Sequence, residues 1–340
     1  MAVTLQQIAE IAGVSRRTVD RALNNKGRIK PDVAEKIKNI AKELNYRPSR
    51  AGRALVMAKK NLKIGVILQS AKTPFMQELI KGLQSAQKEV ESLGASAELK
   101  LIDNVDTIEV IKTMNQMKNN GINGIALSPS DDKHLSDIIN DFSSSNIPIV
   151  TFNSDLENTN RLCFIGQDAV RAGRTAAGLM AALTNRSGTV AILCGHKDNP
   201  ALIKRLNGFT EEITDSYPDM QVAAMKYYYD DNWVAETITE GLMNAYPDLK
   251  GFYVTGCAAG VCTALKKSGH IYDVKVVAND LITDNIHWLK KDAIDFLIGQ
   301  NAYEQGYKAV MSIFKKVLDG TAPKNKLQYT DIVIKNKYNI

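Results

Sequence analysis

The sequence is poor in the residues that build disulfide scaffolds, metal centres and membrane spans. Its four cysteines, Cys163, Cys194, Cys257 and Cys262, are too few among 340 residues for a disulfide framework. The one close pair, Cys257 and Cys262, has no histidine or second pair beside it to complete a zinc site, so all four read as small buried thiols. The four histidines, His134, His196, His270 and His287, show no metal-ligand spacing, and there is neither a G-x-S-x-G elbow nor a G-x-x-x-x-G-K-S/T loop. These absences argue against an enzyme, and no cofactor or metal is expected. No run reaches the roughly 18 apolar residues of a membrane span, so a membrane is not an expected partner. The opening MAVTLQQIAEIAGVS lacks the basic and continuous apolar regions of an export signal, and a cytoplasmic location is expected. Aromatic residues make up only 6%, but 44% of the chain is hydrophobic and 24% charged, which suffices for folded cores. At roughly 150 residues per unit, a chain of this length holds two or three domains.

Charge is unevenly placed. Residues 1–60 carry 14 of the 43 Lys and Arg but only 5 of the 37 Asp and Glu, a net +9, which leaves the remainder at −3. A basic head on a mildly acidic body points to a polyanion partner, and nucleic acid is the commonest one.

Within that head, Leu5, Ile8, Ala9 and Ala12 form one apolar helical stripe that stops at Gly13, a residue suited to a left-handed helix end. Ser15 then offers an N-cap hydroxyl, and Val19, Ala22 and Leu23 repeat the stripe, so a second helix begins after a tight turn. Pro31 opens a third helix whose Val33, Ile37, Ile40, Ala41 and Leu44 close a small core. This is a helix-turn-helix pattern. Arg16, Arg17 and Arg21 project from the second helix, where a recognition helix meets base edges, and the guanidinium fork matches guanine O6 and N7. Asp20 is expected to orient a neighbouring arginine.

The run VTLQQIAEIAGVSRRTVDRALN, from Val3 to Asn24, resembles the DNA-binding domain of the lactose repressor (LacI) family in its V-T start, A-x-x-A-G-V-S turn and T-V-x-R-x-x-N recognition helix. The resemblance continues through Tyr46, Arg47 and Pro48 into SRAGRALV, which is similar to the family's hinge helix, with Leu55 in the place of the leucine that wedges into the minor groove. It implies DNA contacts by Thr4, Ser15, Arg16, Arg17, Thr18, Arg21, Asn24 and Leu55. Gly52 inside the hinge costs about 1 kcal/mol of helix propensity relative to alanine, so the hinge is expected to order only on DNA.

Beyond residue 61 the pattern changes to alternating strands and helices. Apolar runs at 62–68, 95–102, 124–128, 147–152, 163–166, 189–194, 251–256, 274–280, 294–299 and 331–335 read as strands separated by helical stretches, which predicts parallel sheets with a ligand site outside their carboxyl ends. This body resembles the periplasmic sugar-binding protein fold that forms the effector domain of the same family, most closely the ribose-binding type. That resemblance implies two lobes joined by three crossings and a cleft between them. It implies a ligand site of Thr73, Phe75 and Met76 in TPFM, Asn153 and Ser154 after IPIVTF, Arg205 in LIKRLNGF, Asp230 in YYYDDNW, Asp280 ending VKVVAND, and Gln300 in the last crossing. Thr73 replaces the motif's usual Asn, and Asn153 and Ser154 stand where such sugar binders often carry Asp and Arg. The segment VTGCAAG departs from the family's Asn-Asp pair, so Gly256 and Cys257 are placed outside the site.

The expected fold is therefore multi-domain: a small all-α helix-turn-helix head (1–47), a hinge helix and linker (48–60), and an α/β two-lobed body of the type I periplasmic-binding-protein kind (61–340). The expected function is a sequence-specific transcriptional regulator, a repressor, that binds operator DNA as a homodimer and senses a sugar, cyclitol or sugar derivative. The alternative is a sugar-binding or sugar-processing protein whose basic head does not read DNA specifically.

Overall fold

A computed structural model describes residues 3–23, 27, 29–44, 46 and 61–340. It divides into two compact units, residues 1–61 and 62–340. The expected hinge at 48–60, with Leu55, and also Asn24, lie outside the described residues.

The head consists of α1 (Leu5–Ala12), α2 (Arg16–Leu23) and α3 (Pro31–Glu43). Thr4 starts α1 with a capping box: its hydroxyl accepts from the Gln7 amide, and Gln7 Oε1 accepts from the Thr4 amide at 2.8 Å. Gly13 ends α1 in the left-handed region at φ 72°, and Ser15 Oγ accepts from the Thr18 amide at 3.1 Å to start α2. Ile8, Val19 and Ile37, all fully buried, meet where the three helices cross.

The body has two six-stranded sheets. The first lobe contains β1 (Lys63–Leu68), α4 (Pro74–Ser92), β2 (Ser96–Leu101), α5 (Thr107–Asn119), β3 (Gly124–Leu127), α6 (Lys133–Ser144), β4 (Ile149–Phe152) and β5 (Cys163–Gln167). The second contains α7 (Ala169–Leu183), β6 (Gly188–Cys194), α8 (Pro200–Ser216), β7 (Met220–Tyr227), α9 (Asn232–Ala245), β8 (Leu249–Val254), α10 (Ala259–Ser268), β9 (Lys275–Asn279), α11 (Thr283–Lys290) and β10 (Phe296–Gly299). Helix α12 (Ala302–Asp319) and β11 (Leu327–Thr330) return to the first lobe, and β12 (Val333–Lys335) joins the second. The strand orders, β11-β5-β4-β3-β1-β2 and β12-β10-β9-β8-β6-β7, match position for position. β3 is apolar throughout and β1 is apolar after Lys63, because helices cover both faces.

Three crossings join the lobes: after β5, after β10 and between β11 and β12. Gln300 therefore lies at the second crossing, not the last, because β11 and β12 make a further passage. Two strands escaped the periodicity. β7 is an edge strand with polar positions mixed along it, and β11 is only four residues long. The run 331–335 narrows to β12, which pairs antiparallel with β10 and so departs from the parallel pattern. No helix among the described residues is long and apolar enough to cross a membrane.

In each lobe the helix after the first strand packs tightly on a helix that follows a crossing. A Cβ at Gly82 of α4 would lie 2.0 Å from the Tyr303 carbonyl of α12, and one at Gly306 of α12 would lie 2.4 Å from the Leu79 carbonyl. In the second lobe a Cβ at Gly208 of α8 would lie 2.2 Å from the Val170 carbonyl of α7, and one at Gly173 of α7 would lie 2.0 Å from the Arg205 carbonyl. Reciprocal glycines thus let backbones touch where they carry the residues of the cleft.

Candidate DNA-reading helix and ligand cleft

The head presents Arg16 and Arg17 exposed on the first turn of α2. Thr18 and Arg21 are half-buried; Arg21 Nη2 donates to the Gly27 carbonyl at 3.1 Å, which ties the end of α2 to the following loop. Burial and then the nearby Asp20 charge raise the Tyr46 phenol, with Arg16 pulling the other way, so these three groups share one neighbourhood. Thr4 and Ser15 are exposed, but both hydroxyls serve their helix starts.

In the body the strand order turns at β1 in one sheet and at β6 in the other, and such switch points open a crevice beyond the strand ends. The two crevices face one cleft, a cavity of about 120 Å3. Thr73, Phe75, Met76, Asn153, Arg205, Asp230, Asp280 and Gln300 all line it. Ser154 does not; it borders a small adjoining recess and donates to Asn199 Oδ1 across the lobes at 3.2 Å. Trp233, a turn beyond Asp230, is 72% exposed and does not line the cleft.

Arg205 is held by the fold. Its Nη1 donates to the Thr255 carbonyl and its Nη2 to Gln167 Oε1, each at 3.1 Å, and Nη1 lies 4.0 Å from Asp280 Oδ1. Its Nε, buried, has no hydrogen-bond partner. Asp280 follows β9 in a left-handed turn at φ 76° and accepts from Gln300 Nε2 at 2.7 Å. Burial pushes its carboxyl above the usual range, opposed by the Arg205 charge and the Gln300 hydrogen bond. The crossings are tied by the same groups: Gln167 Nε2 donates to the Gly299 carbonyl at 3.0 Å, and Thr330 Oγ1 to the Gln300 carbonyl at 2.9 Å.

An aspartate after a strand is often no more than a helix cap. Here the cap of α9 is Asp231, whose Oδ1 accepts from the Trp233 and Val234 amides, and α11 starts from Ile282. Asp230 and Asp280 are therefore free of capping duty. Asp230, in a left-handed turn at φ 57°, leans over Gly195, where a Cβ would lie 2.6 Å from its Oδ1. The cleft walls raise its carboxyl by burial, against smaller pulls from His196 and the Tyr228 hydroxyl.

The cleft also includes residues that the sequence reading passed over: Ser70, His196, Asn199, Asn232, Thr255 and Asp284. Gly256 and Cys257 line it too, contrary to the expectation that they lie outside. They follow β8, and a strand-end backbone reaches the cleft whatever side chains it carries. Asn199 carried a readable signal, since Asn-Pro after an apolar strand marks a helix start; its Oδ1 caps α8. Burial pushes the Cys257 thiol up to about 11 and the Tyr228 phenol well above its ordinary value, so both stay protonated at neutral pH. The set offers hydrogen bonds and charge but no activated nucleophile.

Residues 4–49 match the family described as bacterial regulatory proteins, lacI family, and residues 64–322 match the periplasmic binding protein domain. The ribose operon repressor of Lactococcus lactis subsp. lactis is 25% identical over 96% of this chain and 94% of its own length. The transcriptional regulator DegA of Bacillus subtilis is 26% identical over 64% of this chain and 62% of its own length. The body also has the fold of GanP, a glucose-galactose binding protein from Geobacillus stearothermophilus, with a TM-score of 0.75 and 22% identity over 82% of this chain and 98% of that one.

Proposed function

The chain belongs to the lacI family of bacterial regulatory proteins, with a periplasmic binding protein domain as its body, and from that premise we propose that it is a cytoplasmic repressor that senses a sugar, cyclitol or sugar derivative. The observation that carries this reading is the convergence of Arg205, Asp230, Asp280, Asn153 and Gln300 on one cleft in a chain whose head exposes Arg16 and Arg17. Planar amide, carboxylate and guanidinium groups engage adjacent hydroxyls of a polyol, and Phe75 supplies a ring face. The set binds its ligand without transforming it. Two copies reading two half-sites supply the specificity that one short helix lacks. A ligand that favours one lobe spacing changes operator affinity by its differential affinity for the two spacings.

The test is a footprint and gel-shift series on DNA upstream of the chain's own gene, with and without a panel of polyols. Protection of a near-palindromic site that a polyol weakens or strengthens is the expected result. Arg17→Ala should relax discrimination at one position of each half-site by about 1 to 3 kcal/mol, and overall binding should fall steeply with salt. Binding that is indifferent to salt between about 50 and 200 mM, or to every polyol tried, would favour a carrier with a merely basic head.

A further inference from the structure

The charged groups of the cleft do not balance. Its acids are Asp230, Asp280 and Asp284; against them stand one arginine, Arg205, and one histidine, His196, and among the described residues no lysine lines it. The lining from the first lobe is entirely uncharged. Arg205 is already committed to Asp280, the Thr255 carbonyl and Gln167. Asp230 has no cation in contact: among the described residues no Lys, Arg or His nitrogen lies within 4.0 Å of its carboxylate, and the positive group that acts on it, His196, does so from beyond that distance.

Asp230 is also aimed. It sits in a left-handed turn that an L-residue rarely adopts, directly after Tyr229 in the same conformation. The glycine beneath it leaves room for its carboxylate, which a Cβ there would approach to 2.6 Å. Strain of this kind persists where the surrounding structure requires a particular aim. A carboxylate held in this aim at the rim of an acidic cleft, with no cation in contact, is met best by a cation that enters with the ligand.

We propose that the effector carries an ammonium group, as an amino sugar or aminocyclitol does, with its nitrogen against Asp230 and its hydroxyls toward Asp280, Gln300 and Arg205. This rests on the sensor reading above and narrows its ligand class. A phosphorylated or uronic ligand would bring negative charge to a cleft already rich in it.

Calorimetric titration of the full chain tests this with matched triplets: D-glucose, D-glucosamine and N-acetyl-D-glucosamine, the same three forms of galactose and mannose, and an inositol with its amino and acetamido counterparts. In at least one triplet the amine should bind about tenfold or more tighter than both the hydroxyl and the acetamido forms at pH 7. Asp230→Asn, with a melting curve as folding control, should reduce that preference to near unity. A neutral member binding as tightly as its amine, or a preference that survives Asp230→Asn, overturns the ammonium assignment while the polyol sensor stands. A simple diamine binding as well as the amino sugars overturns it as well. If no hydroxylated compound of any charge binds, the sensor reading fails and this assignment falls with it.

Discussion

The two lobes of the body share a scaffold and differ in what it carries. Their sheets have the same strand order, so β4 in one corresponds to β9 in the other. The residues that follow, Asn153 and Asp280, are both in left-handed turns, at φ 64° and 76°, and their amides donate to equivalent carbonyls, Ile165 and Ile298, at 3.0 and 2.9 Å. One position holds an amide and the other a carboxylate. After β1 stand Thr73, Phe75 and Met76; after the corresponding β6 stand His196, Asn199 and Arg205. The glycine pairs are duplicated as well, Gly82 with Gly306 and Gly173 with Gly208. Backbone geometry is thus repeated while charge is confined to the second lobe. On the proposed reading that lobe selects the ligand, and the first lobe adds apolar and amide groups to the cleft.

The largest effects should come from breaking what the lobes share. Gly82→Ala and Gly208→Ala each place a methyl 2.0 to 2.2 Å from a backbone carbonyl, which neighbouring side chains cannot relieve. The helix-propensity gain of about 1 kcal/mol is outweighed by overpacking, and each variant should lose about 3 kcal/mol or more of stability in denaturant unfolding. Losses of similar size support equivalent scaffolds. A tolerated methyl in one lobe alone would show that only the other depends on the close approach.

Next come substitutions that should separate the lobes. Arg205→Ala leaves the Thr255 carbonyl and Gln167 Oε1 without their donor and Asp280 without its counter-charge, and should weaken ligand binding by about 2 to 4 kcal/mol. Phe75→Ala removes a half-buried ring face and should cost about 1 kcal/mol. Titration calorimetry with melting curves measures both. Equal losses would mean that the first lobe selects as strongly as the second.

How much of this was legible in the sequence follows from what each residue does locally. The first helix's end and the starts of the next two were readable because Gly13, Ser15 and Pro31 are local stop and start signals whose effect does not depend on distant partners. Buried strands such as β1 and β4 were readable as apolar runs, whereas β7 lies at a sheet edge, where half its side chains meet water and the pattern dissolves. Arg205 and Asp280 stood out because LIKRLNGF and VKVVAND resemble motifs of the periplasmic sugar-binding fold. Thr255, Gly256 and Cys257 did not, because VTGCAAG lacks the family's Asn-Asp pair, yet the end of β8 brings them to the cleft. Asp230 was chosen over its neighbour Asp231 by resemblance, and the structure supplies the physical difference: Asp231 caps a helix and Asp230 does not.

The smallest expected effect concerns the charge that the two acidic positions of the second lobe do not share alike. Burial raises Asp230 above its ordinary carboxylate value. Between the unfolded value, near 4, and the raised folded value, the native state holds more protons than the unfolded one, so unfolding free energy falls as pH rises through that window. Above it the cost is fully present. Asp230→Asn abolishes the titration, so in the absence of ligand the variant should match wild type below about pH 4 and melt slightly higher at pH 7. The open side of the cleft lets solvent screen the charge, which limits the gain to less than about 1 kcal/mol. Asp280→Asn should do the reverse at pH 7, because it strips the counter-charge from buried Arg205. Melting curves of both variants at pH 4 and pH 7 decide the matter. If Asp230→Asn melts lower than wild type at neutral pH, its carboxylate is already satisfied within the protein, and the two acidic positions are alike after all.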